Sequence, residues 1–183
     1  MKPMSLQCDR MARVAAQYCA MIREFEDAGP DETWLQDMGK LLPRLHVAVI
    51  DLATPDEDHH KYSLPDDDQR CELYLRIHER LQGEPGLWTG WSVPGQHQRV
   101  CDCLADDFTD MYFDISRGLE ILQASPNAPE AAECDWLCSF YLHWGQHLLD
   151  AEYWLRAMAG RSGVAETSGH LAWSYEDQDH YRE

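Results

Sequence analysis

Basic residues are scarce in this chain of 183 residues, which has 15 lysines and arginines against 33 aspartates and glutamates and a net charge of −18. Proteins that bind DNA or RNA need an excess of basic residues for the phosphates, so nucleic acid is not expected as a partner. An anionic membrane surface is disfavoured for the same electrostatic reason. The composition therefore predicts an acidic domain that binds neither nucleic acids nor anionic membranes.

Long apolar runs are also lacking, and no segment approaches the roughly 20 residues of a transmembrane helix. No continuous apolar stretch follows Met1–Ser5, so no signal peptide is expected. The cysteines number seven, which is odd, and together these features predict a soluble cytoplasmic protein with reduced thiols. Neither Cys101–Cys103 nor Cys134–Cys138 has the C-x₂-C spacing of zinc ribbons, so both pairs are interpreted as ordinary thiols.

Strand-like alternation of apolar and polar residues is absent too, and apolar residues recur instead with the period of a helix. This pattern predicts helices over residues 6–28, 31–53, 65–83, 96–124 and 129–160. Pro43 falls inside the second of these and predicts a kink or a split there. We expect an all-α fold, a single antiparallel bundle of five or six helices over residues 1–160, followed by a polar tail over residues 161–183.

The fourth predicted helix is rich in aspartate. Its apolar stripe has the spacing of a buried helix face and consists of Leu104, Phe108, Met111, Ile115, Leu119 and Leu122. Asp107 and Asp114 lie at one edge of this stripe, whereas Asp106 lies almost opposite, towards solvent. Like charges four residues apart, such as Asp106 and Asp110, destabilise a helix unless solvent or cationic partners offset them. Gly118 lies on the same edge and would let another helix approach closely.

The fifth predicted helix places histidines beside its apolar stripe, which consists of Trp136, Phe140, Trp144, Leu148, Ala151, Leu155 and Met158. His147 falls within this stripe, and His143 and Asp150 lie on its margin. These three residues form a polar strip because they are spaced four and three apart. Antiparallel packing of the last two helices would bring the strip to Asp107 and Asp114.

Three interpretations of this His/Asp cluster remain open. A buried polar network would fix the register of the two helices. Alternatively, a single divalent metal ion would be bound by His143 and His147, with Asp107 and Asp114 completing the shell. Acid–base chemistry by a histidine in a cleft is the third interpretation. The full candidate cluster consists of Asp107, Asp110, Asp114, His143, His147 and Asp150.

Two other features bear on binding. Most of the acidity lies in residues 51–70, 101–120 and 121–160, which carry −5, −5 and −4. This charge is either an ordinary solvated surface or a docking face for a basic protein. Trp88 and Trp91 lie in a Gly- and Pro-containing loop, where they either pack over one end of the bundle or, if exposed, mark a binding surface.

The two aspartate- and histidine-bearing segments resemble an uncharacterised family of bacterial proteins, the domain of unknown function 5063. The similar segments are Leu104-Ala105-Asp106-Asp107 through Arg117-Gly118-Leu119, and Phe140-x-x-His143-Trp144-Gly145-x-His147. Weaker similarity extends to residues 41–53 and 74–88, so the resemblance covers most of residues 8–158. The resemblance implies a helical fold and a bacterial origin, but no activity.

The residues themselves favour two functions. The first is a protein-interaction or regulatory module with an acidic docking surface. The alternative is a metal-dependent or acid–base enzyme that uses the His/Asp cluster. No phosphate-binding loop, Gly-rich dinucleotide turn or serine nucleophile elbow is present, and no cofactor is indicated beyond a single divalent ion.

Overall fold

The computed structural model describes residues 4–28, 32–53, 67–83 and 96–162, in which helix is the only regular secondary structure. The helices are α1 (Leu6–Ala28), α2 (Glu32–Ile50), α3 (Asp67–Gly83), α4 (Gln96–Ala124), α5 (Glu130–Ser139) and α6 (Gly145–Ser162), with a π-helical turn (Phe140–Trp144) joining the last two. The all-α prediction is confirmed. The predicted first and fourth helices match α1 and α4 at both ends.

Helices α1 and α2 run antiparallel to each other, as the contacts between their side chains show. Arg10 near the start of α1 pairs with Asp51, just beyond the end of α2. Trp34 at the start of α2 donates from Nε1 to the carbonyl of Met21, late in α1, at 3.1 Å. The same reversed order holds for α3 against α4 and for α4 against α5 and α6. An antiparallel bundle is the expected result of short connections between neighbouring helices.

Helix α4 lies at the centre of the bundle, with α1, α3, α5 and α6 packed on it. The first four residues of its predicted stripe, Leu104, Phe108, Met111 and Ile115, are fully buried. The predicted stripe from Trp136 to Met158 is buried along its whole length. The core therefore forms where the helical period of the apolar residues places it.

Helix α2 differs from the prediction at Pro43 and at its end. Pro43 lies inside a continuous helix, so the helix is not split there. The helix ends at Ile50, three residues before the predicted end, and Asp51 and Leu52 form a turn whose N–H groups donate to the carbonyls of Val47 and Val49. Packing of this helix overrides the local preference of proline, as tertiary contacts commonly do.

The π-helical turn was not predicted, although the sequence contains a signal for it. The buried stripe advances by four residues three times in succession from Trp136 to Leu148, and each such step rotates the stripe by about 40° around an α-helix. A wider turn with an i→i+5 bond, here from Gly145 N–H to the Phe140 carbonyl, takes up this rotation. A Cβ at position 145 would lie 2.5 Å from that oxygen, so the turn requires glycine.

The predicted close approach at Gly118 is confirmed. The indole ring of Trp136 from α5 lies directly over Gly118, and a Cβ built at this position would lie 2.5 Å from the ring carbon Cδ1. The same indole donates from Nε1 to the carbonyl of Ile115 at 3.0 Å, which fixes the ring against α4. Glycine therefore sets the distance between α4 and α5.

None of the seven cysteines, all of which lie among the described residues, forms a disulfide. The reduced state of the thiols in the cell stays a prediction. Burial raises the pKa of Cys8, Cys19 and Cys101 to about 12, so these thiols stay protonated. Sγ of Cys134 and Sγ of Cys138 lie 3.8 Å apart on α5.

Some predictions fall outside the described residues. Trp88 and Trp91 lie outside them, so packing of the tryptophan loop stays a prediction. Of the predicted tail over residues 161–183, the first two residues belong to α6 and the rest lies outside the described residues, so the domain boundary at residue 160 also stays a prediction. Among the helices described, none combines the length and apolar character needed to cross a membrane.

Candidate functional site

Two histidines near the junction of α5 and α6 are each held by a buried aspartate of α4. Nδ1 of His143 lies 2.7 Å from Oδ2 of Asp114, and Nδ1 of His147 lies 2.9 Å from Oδ1 of Asp107. An ionised carboxylate only accepts hydrogen bonds, so we assign a proton to Nδ1 in both rings. Asp107 and Asp114 are 4% and 1% exposed. The imidazoles paired with them are more open, since His147 is 19% exposed and His143 is 27% exposed. The pairs are therefore anchored in the core and open at one side.

A third aspartate faces the other nitrogen of both rings. Oδ2 of Asp110 lies 3.2 Å from Nε2 of His147 and 3.7 Å from Nε2 of His143. Asp107, Asp110 and Asp114 share a face of α4 because they are three and four residues apart. Both imidazoles thus point Nδ1 at a carboxylate of their own and Nε2 at the same oxygen.

Helix α3 contributes a residue that the sequence analysis missed. Arg70 binds both carboxylate oxygens of Asp110, with Nη2 at 2.8 Å from Oδ2, and also donates from Nη2 to Asp106 Oδ1 at 2.8 Å. Asp106, which was predicted to face solvent, is in fact half-exposed and paired. No local signal marks Arg70, because its partners are 36 and 40 residues away in the sequence.

Two further missed residues extend the cluster towards α5. Arg117 binds Asp114 through Nη1 at 2.9 Å, and its Nε donates to the two carboxylate oxygens of Asp135 at 3.0 and 3.2 Å. Asp135 is only 4% exposed. The spacing of Asp114 and Arg117, three residues apart on one helix, was a usable signal for the first pair. The second pair depends on how α5 packs on α4.

Not every predicted residue joins the cluster. Asp150 is exposed and accepts a hydrogen bond from a glutamine of its own helix at 3.0 Å, although its charge contributes to raising the pKa of Asp107. Asp107 and Asp114, predicted as metal ligands, face the Nδ1 atoms of the two histidines. The carboxylate that faces both Nε2 atoms belongs to Asp110.

The protonation of one pair is shifted by its surroundings. Burial raises the pKa of the Asp107 carboxyl to about 6, against the lowering effect of the hydrogen bond and charge of His147. Burial lowers the pKa of His147, but the hydrogen bond to Asp107 and the charges of Asp110, Asp107 and Asp106 outweigh it, so this pKa is raised. Both shifts favour the protonated form in the folded protein.

We expect the free energy of unfolding to fall as pH rises, when a chelator keeps the protein free of metal ions. A raised folded pKa stabilises the fold only while the group is protonated, so the contribution of Asp107 is lost between its unfolded value of 3.8 and about 6. The contribution of His147 is complete below 6.5 and is lost as pH rises through its raised folded pKa. Urea unfolding between pH 5 and pH 9 measures the change. The fall above pH 6.5 should be smaller in His147→Gln. An equal fall in that variant would show that His147 is not the group responsible for it.

Comparison with known proteins identifies the fold and the family. The solved structure of protein BF1032 from Bacteroides fragilis superposes with a TM-score of 0.62 at 16% sequence identity, covering 91% of this chain and 98% of that chain. At this identity the likeness concerns the fold alone. No curated protein matches the chain. Residues 4–159, which include all the clustered aspartates, arginines and histidines, match the family described as a domain of unknown function, DUF5063. The chain is therefore a member of the DUF5063 family.

Proposed function

We propose that this protein binds one divalent transition-metal ion through Asp110, His143 and His147, and that the ion is its functional centre. The observation that carries the proposal is the convergence of both Nε2 atoms on one oxygen of Asp110, at 3.2 and 3.7 Å. Imidazole and carboxylate together are the donors that zinc, cobalt, nickel and manganese accept.

The spacing of the three donor atoms suits a single ion. Ligands about 2.0–2.1 Å from a tetrahedral zinc ion are separated from each other by roughly 3.3 Å. The distances from Asp110 Oδ2 to the two nitrogens bracket this value, and the three donor atoms all lie within 4.8 Å of one another. The ion would bind with small side-chain adjustments and no rearrangement of helices.

The surrounding aspartates support the proposal because they orient the ligands. A histidine that binds metal through Nε2 usually donates Nδ1–H to a carboxylate, which fixes the ring and makes the ligand more basic. Asp114 and Asp107 occupy this position for His143 and His147. A purely structural polar network needs no such repetition of the same arrangement on two rings.

The charge of the cluster also supports a cation. Its carboxylates are Asp106, Asp107, Asp110, Asp114 and Asp135. Arg70 and Arg117 offset two of these charges, so an excess of negative charge remains before the histidines are counted. One oxygen of Asp107, Oδ2, is buried and accepts no hydrogen bond from any described residue. A divalent ion would neutralise most of this excess in a region where unpaired charge is costly.

The chemistry that such an ion supplies is activation of water. Three protein ligands leave a coordination position open, and this is typical of catalytic rather than structural zinc sites. Water bound to such an ion loses a proton near neutral pH. Both imidazoles keep part of their surface exposed to solvent, at 27% for His143 and 19% for His147. The proposal therefore favours the metal-dependent enzyme over the alternatives derived from the sequence.

Titration of the chelator-treated protein with Co²⁺ and Zn²⁺ tests the proposal. We expect one equivalent of metal to bind, with the visible absorption of four- or five-coordinate Co²⁺. His143→Gln and Asp110→Asn should abolish binding, because each removes a ligand atom. Asp114→Asn should weaken binding about 10–100-fold, because it removes an orienting partner.

His78→Gln is the matched control. His78 lies on α3 and contacts Asp102 of α4 at 2.7 Å, with the same 19% exposure as His147, but it is not one of the converging ligands. This variant should bind metal like the wild type. Absence of saturable binding in the wild type, or an equal loss in His78→Gln, would contradict the proposal.

An acidic docking surface for a basic protein is the second candidate, and burial reduces the number of carboxylates that such a surface can offer. Asp107, Asp110, Asp114 and Asp135 were counted towards the acidic surface, yet all four are buried. Fewer carboxylates are therefore available to a partner than the net charge suggests. Binding to a basic protein such as lysozyme that weakens steeply between 50 and 300 mM salt would support this candidate, and salt-independent behaviour would contradict it.

A further inference from the structure

We propose that Arg70 is an internal cation that competes with the metal ion for Asp110 and so determines the affinity of the site. This inference rests on the proposed metal site and adds a residue from a third helix, α3, to its control. Arg70 donates hydrogen bonds to Asp110 and to Asp106, which lies outside the ligand set. It acts through Asp110 and is therefore an affinity-determining residue rather than a ligand.

The geometry of Asp110 carries the inference. Its Oδ2 atom lies 2.8 Å from Nη2 of Arg70, closer than to Nε2 of either histidine. Arg70 also binds the second oxygen of the same carboxylate through Nε. A metal ion needs a lone pair of this oxygen, and a guanidinium held in two-point contact both occupies the lone pairs and repels a second cation. Binding of the ion to Asp110 therefore weakens the contact between Arg70 and Asp110, and that contact in turn weakens binding of the ion.

The position of Arg70 allows an exchange without displacing its helix. Helix α3 packs mainly on α4, and its residues Leu73, Ile77 and Leu81 are buried. The Arg70 side chain itself is 34% exposed and also contacts Asp106, which is 45% exposed. Arg70 can therefore release Asp110 and keep Asp106, so that a cation remains on the outer carboxylate while the ion takes the inner one.

Co²⁺ titration of Arg70 variants tests the competition. Arg70→Gln removes the charge and should tighten Co²⁺ binding about tenfold or more, the scale on which groups around a metal site change its affinity. Arg70→Lys keeps the charge but loses the two-point contact, so its affinity should lie between those of the wild type and Arg70→Gln. Arg76→Gln is the matched control, because Arg76 lies on the same helix and pairs with Glu72 instead.

The outcomes separate this inference from the metal site on which it rests. If the wild type binds Co²⁺ and Arg70→Gln binds it no more tightly than Arg76→Gln does, the competition is refuted and the metal site stands. If only Arg70→Gln binds Co²⁺, the competition is supported and the proposed function of the wild type fails. If neither protein binds while both remain folded by circular dichroism, both proposals fail. Stronger binding in Arg70→Gln, with Arg70→Lys intermediate, supports both.

Discussion

Replacing Arg117 with alanine should lower the free energy of unfolding by about 3–5 kcal/mol, the usual cost of removing one partner from a buried ion pair. Arg117 lies between Asp114 and Asp135, which are 1% and 4% exposed. Without the guanidinium, Asp135 loses both of its hydrogen bonds from Arg117 Nε, and Asp114 keeps its bond from His143. The carboxylates then stay buried without sufficient positive charge. Urea denaturation with the slope checked against the wild type measures the loss.

Two variants make this prediction specific. Arg13→Ala removes an arginine whose pair with Asp9 is largely exposed, and it should cost no more than about 1 kcal/mol. Adding Asp135→Asn to Arg117→Ala should restore part of the stability, because a neutral amide needs no counter-ion. A loss in Arg117→Ala no larger than that in Arg13→Ala would show that the buried ion pairs contribute little.

Replacing Gly118 with alanine should cost about 3 kcal/mol, at the upper end of the range for inserting one methyl group into a packed core. The new Cβ would overlap the Trp136 indole. The ring cannot simply move aside, since it is fully buried and donates to the carbonyl of Ile115. Relief requires α4 and α5 to separate, and this would also disturb the contact between Arg117 and Asp135. Thermal unfolding followed by circular dichroism measures the effect.

Gly39→Ala is the matched control for this substitution. Gly39 lies inside α2, and apart from its two chain neighbours and the adjacent backbone of its own helix, no atom of the described structure lies within 4 Å of a Cβ built there. Alanine is the better helix former, so this change should stabilise the protein by up to about 1 kcal/mol. Opposite signs for the two substitutions would confirm that Gly118 is a packing residue. A neutral or stabilising Gly118→Ala would mean that the two helices tolerate a wider separation.

The meeting of the histidine edge with the aspartate edge was predictable, because helical periodicity and antiparallel packing of the last two predicted helices are enough to predict it. Residues spaced by three and four lie on one face of a helix, so two polar edges beside two apolar stripes must meet when the stripes pack together. His143 does contact Asp114, and His147 contacts Asp107. Periodicity did not say which histidine meets which aspartate, nor which nitrogen faces which oxygen, because both depend on the height at which the helices dock.

The remaining members of the cluster could not be predicted in the same way. Arg70 and Asp135 reach the cluster only because α3 and α5 dock on α4 at particular heights. The height at which one helix docks on another is decided by close packing over the whole contact, and Gly118 under Trp136 is one such contact. A helical wheel of one segment contains no information about that height.

The sequence by itself determined the helices, their buried faces and the edges on which the polar residues lie, since these depend on a local period that is written into the spacing of apolar residues. Tertiary structure alone decided two features of the site. It turned Asp110 towards both histidines and brought Arg70 from α3 onto the same carboxylate. Each of these results from satisfying burial and hydrogen bonding on several helices at once, and no single segment specifies it.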